Sequence, residues 1–508
     1  MVSPPSDRFG TVVADRRRPS PALAGINGSR GAAVGRDGRP IPPGSYVQGC
    51  RRSRRDAGGP RRPPAATLVG VRAGTGPPGA DDGERTRRMG TSSGPRTEAG
   101  SGVRADTGGP QAAPGQGEAP QGAGRLPLLD VLRGLAILGT LGMNVWIFTA
   151  PGAELSALSM EAPTLASVTA DPSPGTVVEA LFRLTANGTS LALLTLLFGA
   201  GLAVQYRSAH KRGLPWPGPY KWRALFLFAE GLVHFTLVFA WDVLMGYAVT
   251  AMAAALLLAR GRRVRAAAAW AAGSLHVAAM AGATALMVAA GAVGGDGAGG
   301  PDPGAVRLYA EGGYLEQVAV RLENAMVLRI EPVMTFGMML TLFLCGVALF
   351  RAGAFGPGAQ GRRLRVRLAV WGLGAGVPMK AAASLMGGDG FLIERYVAAP
   401  VVALGVAGLV GLVLDRARRT GPVTAALSNL GRTALSGYVL QNAIAMVVCY
   451  GFGLGLATHF AGTGPWWVIA LWAAISAVLL AGSALWLRRF RHGPLEAAQK
   501  AALSRVAR

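Results

Sequence analysis

The 508-residue sequence has few of the side chains that usually build a metal site or a disulfide framework. It contains three cysteines, Cys50, Cys345 and Cys449, which lie far apart in the chain with no CxxC spacing, and five scattered histidines. Such spacing is typical of free thiols. We therefore expect no bound metal and no disulfide.

Several motifs of soluble enzymes are also missing. The sequence has no phosphate-binding loop, no dinucleotide-binding fingerprint, no GxSxG elbow and no HExxH pair. Only 15% of the residues are charged, half are apolar, and the formal net charge is +24. A basic total can indicate nucleic-acid binding, but the basic residues after residue 124 occur in short loops between apolar runs. That pattern is typical of membrane proteins, and we expect no nucleic-acid partner.

Residues 1–124 contain few large apolar or aromatic side chains and are rich in Gly, Pro, Arg and Ala. Such a segment cannot bury enough apolar surface to offset the entropy lost on ordering, so we predict a disordered tail. An alternative is that translation starts downstream, with Met89 in "RRMGTSSGPR" as the candidate start. Both interpretations remain open.

From residue 125 onward, long apolar runs follow one another, each near the roughly 20 residues that cross a bilayer. The sequence therefore predicts an all-α, polytopic transmembrane helix bundle of about ten spans, over a domain of residues 125–498. The expected spans are 128–149, 188–206, 223–241, 243–259, 266–290, 331–350, 368–387, 397–414, 433–457 and 466–487.

Every second loop is basic, as in "RGRRVR", "DRARRTG" and "RRFRHG". The excess of Lys and Arg predicts that these loops, the N-terminus and the C-terminal end, residues 499–508, are cytoplasmic. We expect a multi-pass protein of the cell (inner) membrane, with the lipid bilayer as its partner. The long loop 291–328 ends in a pattern that predicts an amphipathic helix on the outer face. Nothing in the sequence indicates an oligomeric state.

The first span, "LLDVLRGLAILGTLGMNVW", carries a polar stripe. At 100° per residue, Asp130, Arg133, Thr140 and Asn144 fall within about 80° of one another. Because charges in hydrocarbon are costly, we expect this stripe to face the bundle interior and to bind substrate. For the pair of Asp130 and Arg133 alone, an anchor in the head-group zone is the alternative.

The third span, "FAEGLVHFTLVFAWD", has Glu230 and His234 four residues apart on one face. A carboxylate can hold an imidazole in one tautomer, so the pair is a candidate general base or proton relay, with Glu230 orienting His234. The alternative is a buried pair that fixes helix packing. We expect Asp242, at the next turn, to serve turn geometry and helix capping.

The ninth span supplies Tyr438, Gln441 and Asn442, which are candidates for binding a polar substrate or for bridging helices. The following "GFGLGL" favours close helix packing. Among the other charges, Glu331 is expected to pair with Arg329 or Arg183, and Lys380 is expected to be buried. For Glu394 and Arg395, a solvated position at the outer mouth is the main interpretation.

Five segments together resemble the YeiB-like bacterial membrane proteins, whose C-terminal half is domain of unknown function 418. They are "LDVLRGLAILGTLGMN", "LLTLLFGAGLAVQYRSA", "AEGLVHFTLVFAWDVLMGYAV", "LGRTALSGYVLQNAIAMVVCYGFGLGL" and "RHGPLE". The resemblance implies a distant relationship to membrane acyltransferases, which pass acyl groups from cytosolic acyl-CoA to sugars or glycolipids. One such group has an Arg, ten residues and then a catalytic His in its first span. Here Arg133 matches the Arg, but Asn144 stands where the His is expected.

Two functions follow. In the first, the protein is a transacylase with acyl-CoA as co-substrate, no resident cofactor, and a glycan or lipid acceptor. Arg133 would meet the donor phosphates, and His234 would be the base, with His276 a poorer candidate. In the second, a transporter or channel for a polar or anionic solute would be lined by Asp130, Arg133, Asn144, Glu230 and His234. A scaffold without chemistry is a third alternative.

Overall fold

The structure is a computed structural model that describes residues 126–159, 162–291, 302–417 and 421–506, and every structural statement below concerns these residues. The predicted disordered tail and Met89 lie outside them. Within the described ranges the chain is entirely helical, without a β-strand. The predicted all-α fold is therefore confirmed.

The first half of the bundle contains eight described helices. They are α1 (Pro127–Thr149), α2 (Ala153–Ser156), α3 (Leu165–Ala170), α4 (Pro174–Ala186), α5 (Thr189–Lys211), α6 (Tyr220–Leu237), α7 (Leu244–Leu258) and α8 (Arg262–Ala290).

The second half begins with a series of short helices and ends with longer ones. They are α9 (Pro303–Glu311), α10 (Tyr314–Glu323), α11 (Ala325–Leu328), α12 (Ile330–Met334), α13 (Phe336–Arg351), α14 (Ala359–Ser384), α15 (Phe391–Ile393), α16 (Ala399–Arg416), α17 (Pro422–Arg432), α18 (Ala434–Cys449), α19 (Leu456–His459), α20 (Trp466–Arg489) and α21 (Pro494–Val506).

Each of the ten predicted spans falls on a helix. Five helical segments are long and apolar enough to cross a membrane: Pro127–Thr149, Pro174–Lys211, Arg262–Ala290, Gly387–Arg416 and Trp466–Arg489. The shorter helices α7, α13 and α18 are also apolar. The other two predicted spans are α6, which carries charges within its apolar run, and α14, whose first turns are rich in arginine. The membrane character is thus clear, while the count of ten stays a prediction.

Two of the predicted spans are interrupted. The sixth was expected to begin at residue 331, but the helix is broken at Thr335, between α12 and α13. In the ninth, α18 ends at Cys449, so "GFGLGL" forms a turn: the prediction that it lies within a helix is wrong, whereas the expected close packing is found, against α9. The physical reason is a close approach: the N–H of Gly451 donates to the carbonyl of Tyr309 in α9, and a side chain there would collide with Ala310.

Helix α1 lies in the middle of the bundle and packs against α5, α17, α18 and α20. Its contact with α17 is especially close, because Gly134 faces the backbone of Leu427 and Gly431 faces the backbone of Asp130. Added Cβ atoms at these two glycines would lie within hard-contact distance of those carbonyls. This packing fixes the rotation of α1 and turns its polar stripe inward.

Candidate functional site

The centre of the bundle holds an Asp–His pair. The Nδ1 atom of His234 on α6 lies 3.0 Å from Oδ1 of Asp242, in the turn before α7, and both side chains are almost fully buried. The other oxygen of Asp242 accepts the backbone N–H of Leu244 at 2.9 Å. Asp242 therefore caps α7, as expected, and also orients the imidazole.

This arrangement corrects the predicted role of Glu230 as the partner of His234. Helix α6 ends at Leu237, and the chain reverses within a few residues, which brings Asp242 against the imidazole. Glu230 lies one turn earlier, and neither of its carboxylate oxygens has a hydrogen-bond partner among the described residues. The tight turn, rather than the helical spacing of four, decides which carboxylate meets His234.

A chain of side-chain amides continues from the imidazole. Nδ2 of Asn442 on α18 lies 3.3 Å from Nε2 of His234, and Nδ2 of Asn144 on α1 donates to Oδ1 of Asn442 at 3.0 Å. In this orientation the Asn442 amide presents its nitrogen to the imidazole and its oxygen to Asn144. Asn144 is thus connected to His234 through one amide, that of Asn442.

The inward orientation of the α1 stripe is confirmed, because Asp130, Thr140 and Asn144 are all buried. At the start of the stripe, Arg133 donates to Asp130 at 3.3 Å. The structure brings Tyr438 to the site as well: its ring centroid is 5.2 Å from that of His234. It does not bring Gln441, which is fully buried and whose amide atoms have no hydrogen-bond partner in the described part of the chain.

A cavity of about 250 Å³, which we call the arginine cavity, opens at the end of the bundle that is predicted to be cytoplasmic. Its polar wall consists of Arg133, Gln205, Tyr220, Arg223, Arg432, Glu496 and Gln499. Leucines of α5 and α6 form the apolar wall, and α21 contributes Glu496 and Gln499. Glu496 also accepts the N–H of Leu435, which ties α21 to the first turn of α18.

A second cavity of about 400 Å³, which we call the aromatic cavity, lies toward the opposite end. Its wall includes Asn144, Trp146, Arg183, Trp241, Glu331, Arg395, Tyr396 and Tyr438. Arg183 donates to Glu179 at 2.7 Å, and its guanidinium lies 4.3 Å from the ring centroid of Trp146. Tyr438 belongs to the walls of both cavities, so this residue stands between them.

Two predicted pairings of Glu331 are wrong. Its carboxylate accepts from Arg395 at 2.8 Å and from the hydroxyl of Tyr396 at 2.8 Å, rather than from Arg329 or Arg183. Arg329 instead donates to the backbone carbonyl of Asp242 at 2.6 Å. Which arginine pairs with Glu331 depends on how deep each helix lies in the bundle and on its rotation about its own axis. The spacing of residues in the sequence encodes neither.

The charges expected at a solvated outer mouth are inside the protein. Glu394 is buried and accepts from the amide of Asn187 at 2.9 Å, and Arg395 is held by Glu331. Lys380 is buried, as predicted, and donates to Thr189 at 3.0 Å. Glu394 and Arg395 belong to a π-helical segment, Glu394–Ala398, which precedes α16 and presents their side chains toward the bundle.

Sequence reasoning missed a further buried cluster, in which Glu154 on α2 binds Arg321 on α10. Two guanidinium nitrogens donate to its carboxylate at 2.8 and 3.2 Å, and the hydroxyls of Tyr309 and Tyr450 each donate at 3.2 Å. Both charged side chains are fully buried. The prediction that the segment around Arg321 is helical is confirmed, but no local signal marked Glu154 as its partner.

The comparisons with known proteins bear on the second half of this bundle. Residues 349–505 match the family model described as "Protein of unknown function (DUF418)". This part of the chain, which we call the DUF418 domain, is therefore similar to that family. The domain supplies Tyr438, Asn442 and Glu496, whereas Asn144, His234 and the rest of the site come from the helices before it. The expected resemblance is thereby confirmed for the DUF418 domain, and the relationship to acyltransferases stays a prediction.

One relative extends the likeness beyond the DUF418 domain. The uncharacterized protein YxaH of Bacillus subtilis (strain 168) is 26% identical over 399 residues, which cover 73% of this chain and 92% of that protein. No solved structure matches the chain.

Proposed function

We propose that this protein transfers an acyl group from a donor in the arginine cavity to an acceptor hydroxyl in the aromatic cavity. The observation that carries the proposal is that Tyr438, whose ring lies beside His234, lines both cavities. A donor and an acceptor that enter from opposite ends would therefore come together next to a buried Asp–His pair.

The arginine cavity suits an acyl-CoA donor. Arg133, Arg223 and Arg432 surround its polar side, and guanidinium groups bind phosphates in a bidentate manner. The leucines of the opposite wall would accommodate the acyl chain. At the other end, the aromatic cavity offers ring faces and amide groups to a sugar or lipid acceptor.

His234 would act as the general base. The acceptor hydroxyl would take the place of the Asn442 amide at Nε2, which lies at the long distance of 3.3 Å. Its proton would move to Nε2 while the oxygen bonds to the thioester carbonyl carbon, and the C–S bond would then break to release the thiolate. Asp242 would stabilise the imidazolium that forms, as a carboxylate does in other acyl-transfer sites.

The test is acyl transfer by the full chain in liposomes, supplied with labelled acyl-CoA and candidate sugar or lipid acceptors. We expect His234→Gln to lower the transfer rate by about 10²–10⁴-fold, the usual contribution of a general base. His276→Gln is the matched control, because His276 is also buried but its ring nitrogens bond to backbone carbonyls, those of Tyr396 and Met334. No transfer by the wild type, or equal rates for His234→Gln and wild type, would contradict the proposal.

A second candidate is passage of a polar anion between the two cavities. The observation that favours it is the break at Thr335 in the sixth predicted span and the π-helical segment Glu394–Ala398 at the start of the eighth. Interrupted spans with cavities on both sides are typical of transporters. Flux of a labelled anion into the same liposomes without acyl transfer would select this candidate.

A further inference from the structure

Glu230 lies between the arginine cavity and the Asp–His pair. On α6, Leu227 lines the cavity, Glu230 follows three residues later, and His234 comes four residues after that. The three side chains fall within about 60° of one another around the helix, and the distance along the axis from the first to the last is about 10 Å. One face of α6 therefore runs from the cavity wall through Glu230 to the imidazole.

The carboxylate of Glu230 differs from the other buried carboxylates near the cavities. Both of its oxygens are buried and without a hydrogen-bond partner in the ranges that the structure describes. Glu331, by comparison, is held by Arg395 and Tyr396. A carboxyl group that is buried without a counter-charge holds a proton more favourably than a negative charge.

The charged groups that face Glu230 from neighbouring elements reinforce this preference. The turn before α7 brings Asp242, which packs beside Gly231 and whose charge acts on Glu230. Helix α21 packs against α6 and brings Glu496, whose charge acts on Glu230. Helix α10 brings Arg321, but this guanidinium reaches α6 only at the carbonyl of Thr236, two turns beyond Glu230 and already bound to Glu154.

We infer that Glu230 carries a proton between His234 and the arginine cavity. The direction of this transfer rests on the proposed function. The proton that the acceptor hydroxyl gives to Nε2 of His234 must finally reach the thiolate that leaves in the arginine cavity. A protonated Glu230 gives its proton to the thiolate and is then reprotonated from the imidazolium, so that no proton is gained or lost over the cycle.

The first test does not depend on acyl transfer. Dicyclohexylcarbodiimide adds to protonated carboxyl groups in apolar surroundings, and mass spectrometry locates the adduct. In sealed vesicles with the full chain in one orientation, we expect an adduct on Glu230 whose yield falls when the pH is raised on the arginine-cavity side. Glu331 serves as the internal control and stays unmodified. Absence of the adduct on Glu230, or a yield that responds only to pH on the opposite side, would overturn the inference.

The second test is kinetic. Glu230→Gln should lower acyl transfer at least tenfold and increase the solvent deuterium isotope effect, and Glu230→Asp should recover part of the rate because it retains a carboxyl group. If the wild type labels as expected but transfers no acyl group, the proposed function fails and the proton-carrying role remains. If transfer is normal in Glu230→Gln, the inference fails and the proposed function remains.

Discussion

Two buried carboxylates in this protein have opposite surroundings. Glu154 is fully buried and accepts four hydrogen bonds, two from Arg321 and one each from Tyr309 and Tyr450. Glu230 is buried at its oxygens and accepts none from the residues that the structure describes. The first carboxylate is held in one position by a guanidinium and two hydroxyls. The second is the carboxylate that we infer to carry a proton.

The difference shows how this bundle separates structural charges from reactive ones. The Glu154–Arg321 cluster joins α2, α9 and α10 to the end of α18, which holds the short helices against the bundle. The His234–Asp242 pair lies between the two extremes, because one imidazole nitrogen is held by a carboxylate and the other contacts only an amide. A buried charge whose hydrogen-bond and ion-pair partners are all present stabilises the fold. A titratable group that lacks some of these partners remains available for proton transfer.

The largest loss of stability is expected for Arg321→Met, which removes the partner of Glu154. This change removes the guanidinium and leaves the carboxylate of Glu154 buried without a counter-charge, so we expect a loss of about 3–5 kcal/mol in the free energy of unfolding. The measurement is thermal or denaturant unfolding of the full chain in detergent. Arg307→Met, on the exposed face of α9, is the control and should change stability by less than about 0.5 kcal/mol. Equal effects of the two substitutions would show that the cluster does not stabilise the bundle.

A smaller change to the same cluster is Tyr309→Phe. Burial and the charge of Glu154 raise the pKa of Tyr309, so its hydroxyl remains a donor in the folded protein. We expect the loss of this hydrogen bond to cost about 1 kcal/mol. Because the pKa is higher in the folded than in the unfolded protein, this stabilisation is complete below the usual tyrosine value of 10.0 and declines above it.

The measurement is the melting temperature of the wild type and of Tyr309→Phe across a pH series. The difference between them should be constant near neutral pH and should narrow at alkaline pH. A difference that widens at alkaline pH would contradict the assigned direction of the pKa shift.

The smallest change in stability is expected for Glu230→Gln. Glu230→Gln removes no hydrogen bond that the structure describes, so we expect the free energy of unfolding at neutral pH to change by less than about 0.5 kcal/mol. Glu154→Gln is the matched control, because the same chemical change leaves Arg321 buried beside a neutral amide and should cost about 3 kcal/mol. If both substitutions destabilised the protein equally, Glu230 would be a structural residue like Glu154.

Much of the fold could be predicted from the sequence. All ten expected spans fall on helices, because hydropathy and length are local properties. The inward orientation of Asp130 and Asn144 was also predictable, since a polar stripe on an apolar helix can avoid lipid only by facing the bundle. The break at Thr335 was not, because the apolar pattern of the sixth span continues across this position.

For the candidate site, the sequence predicted most of the residues but not which of them contact one another. His234, Asn144, Tyr438 and Asn442 were expected and do lie together. The expected partner Glu230 was replaced by Asp242, because spacing along a helix identifies neighbours on one face but not a residue brought back by the next turn. Gln441 was expected as well, but its amide makes no hydrogen bond to any described residue and so does not join this group.

The sequence by itself determined that this is a helical membrane protein and which of its polar side chains must avoid lipid. The tertiary structure alone decided how those side chains are paired: Asp242 with His234, Arg395 with Glu331, and Arg321 with Glu154. The physical reason is that hydropathy acts on each helix separately. Electrostatic pairing depends instead on the depth and rotation that the close packing of several helices imposes together.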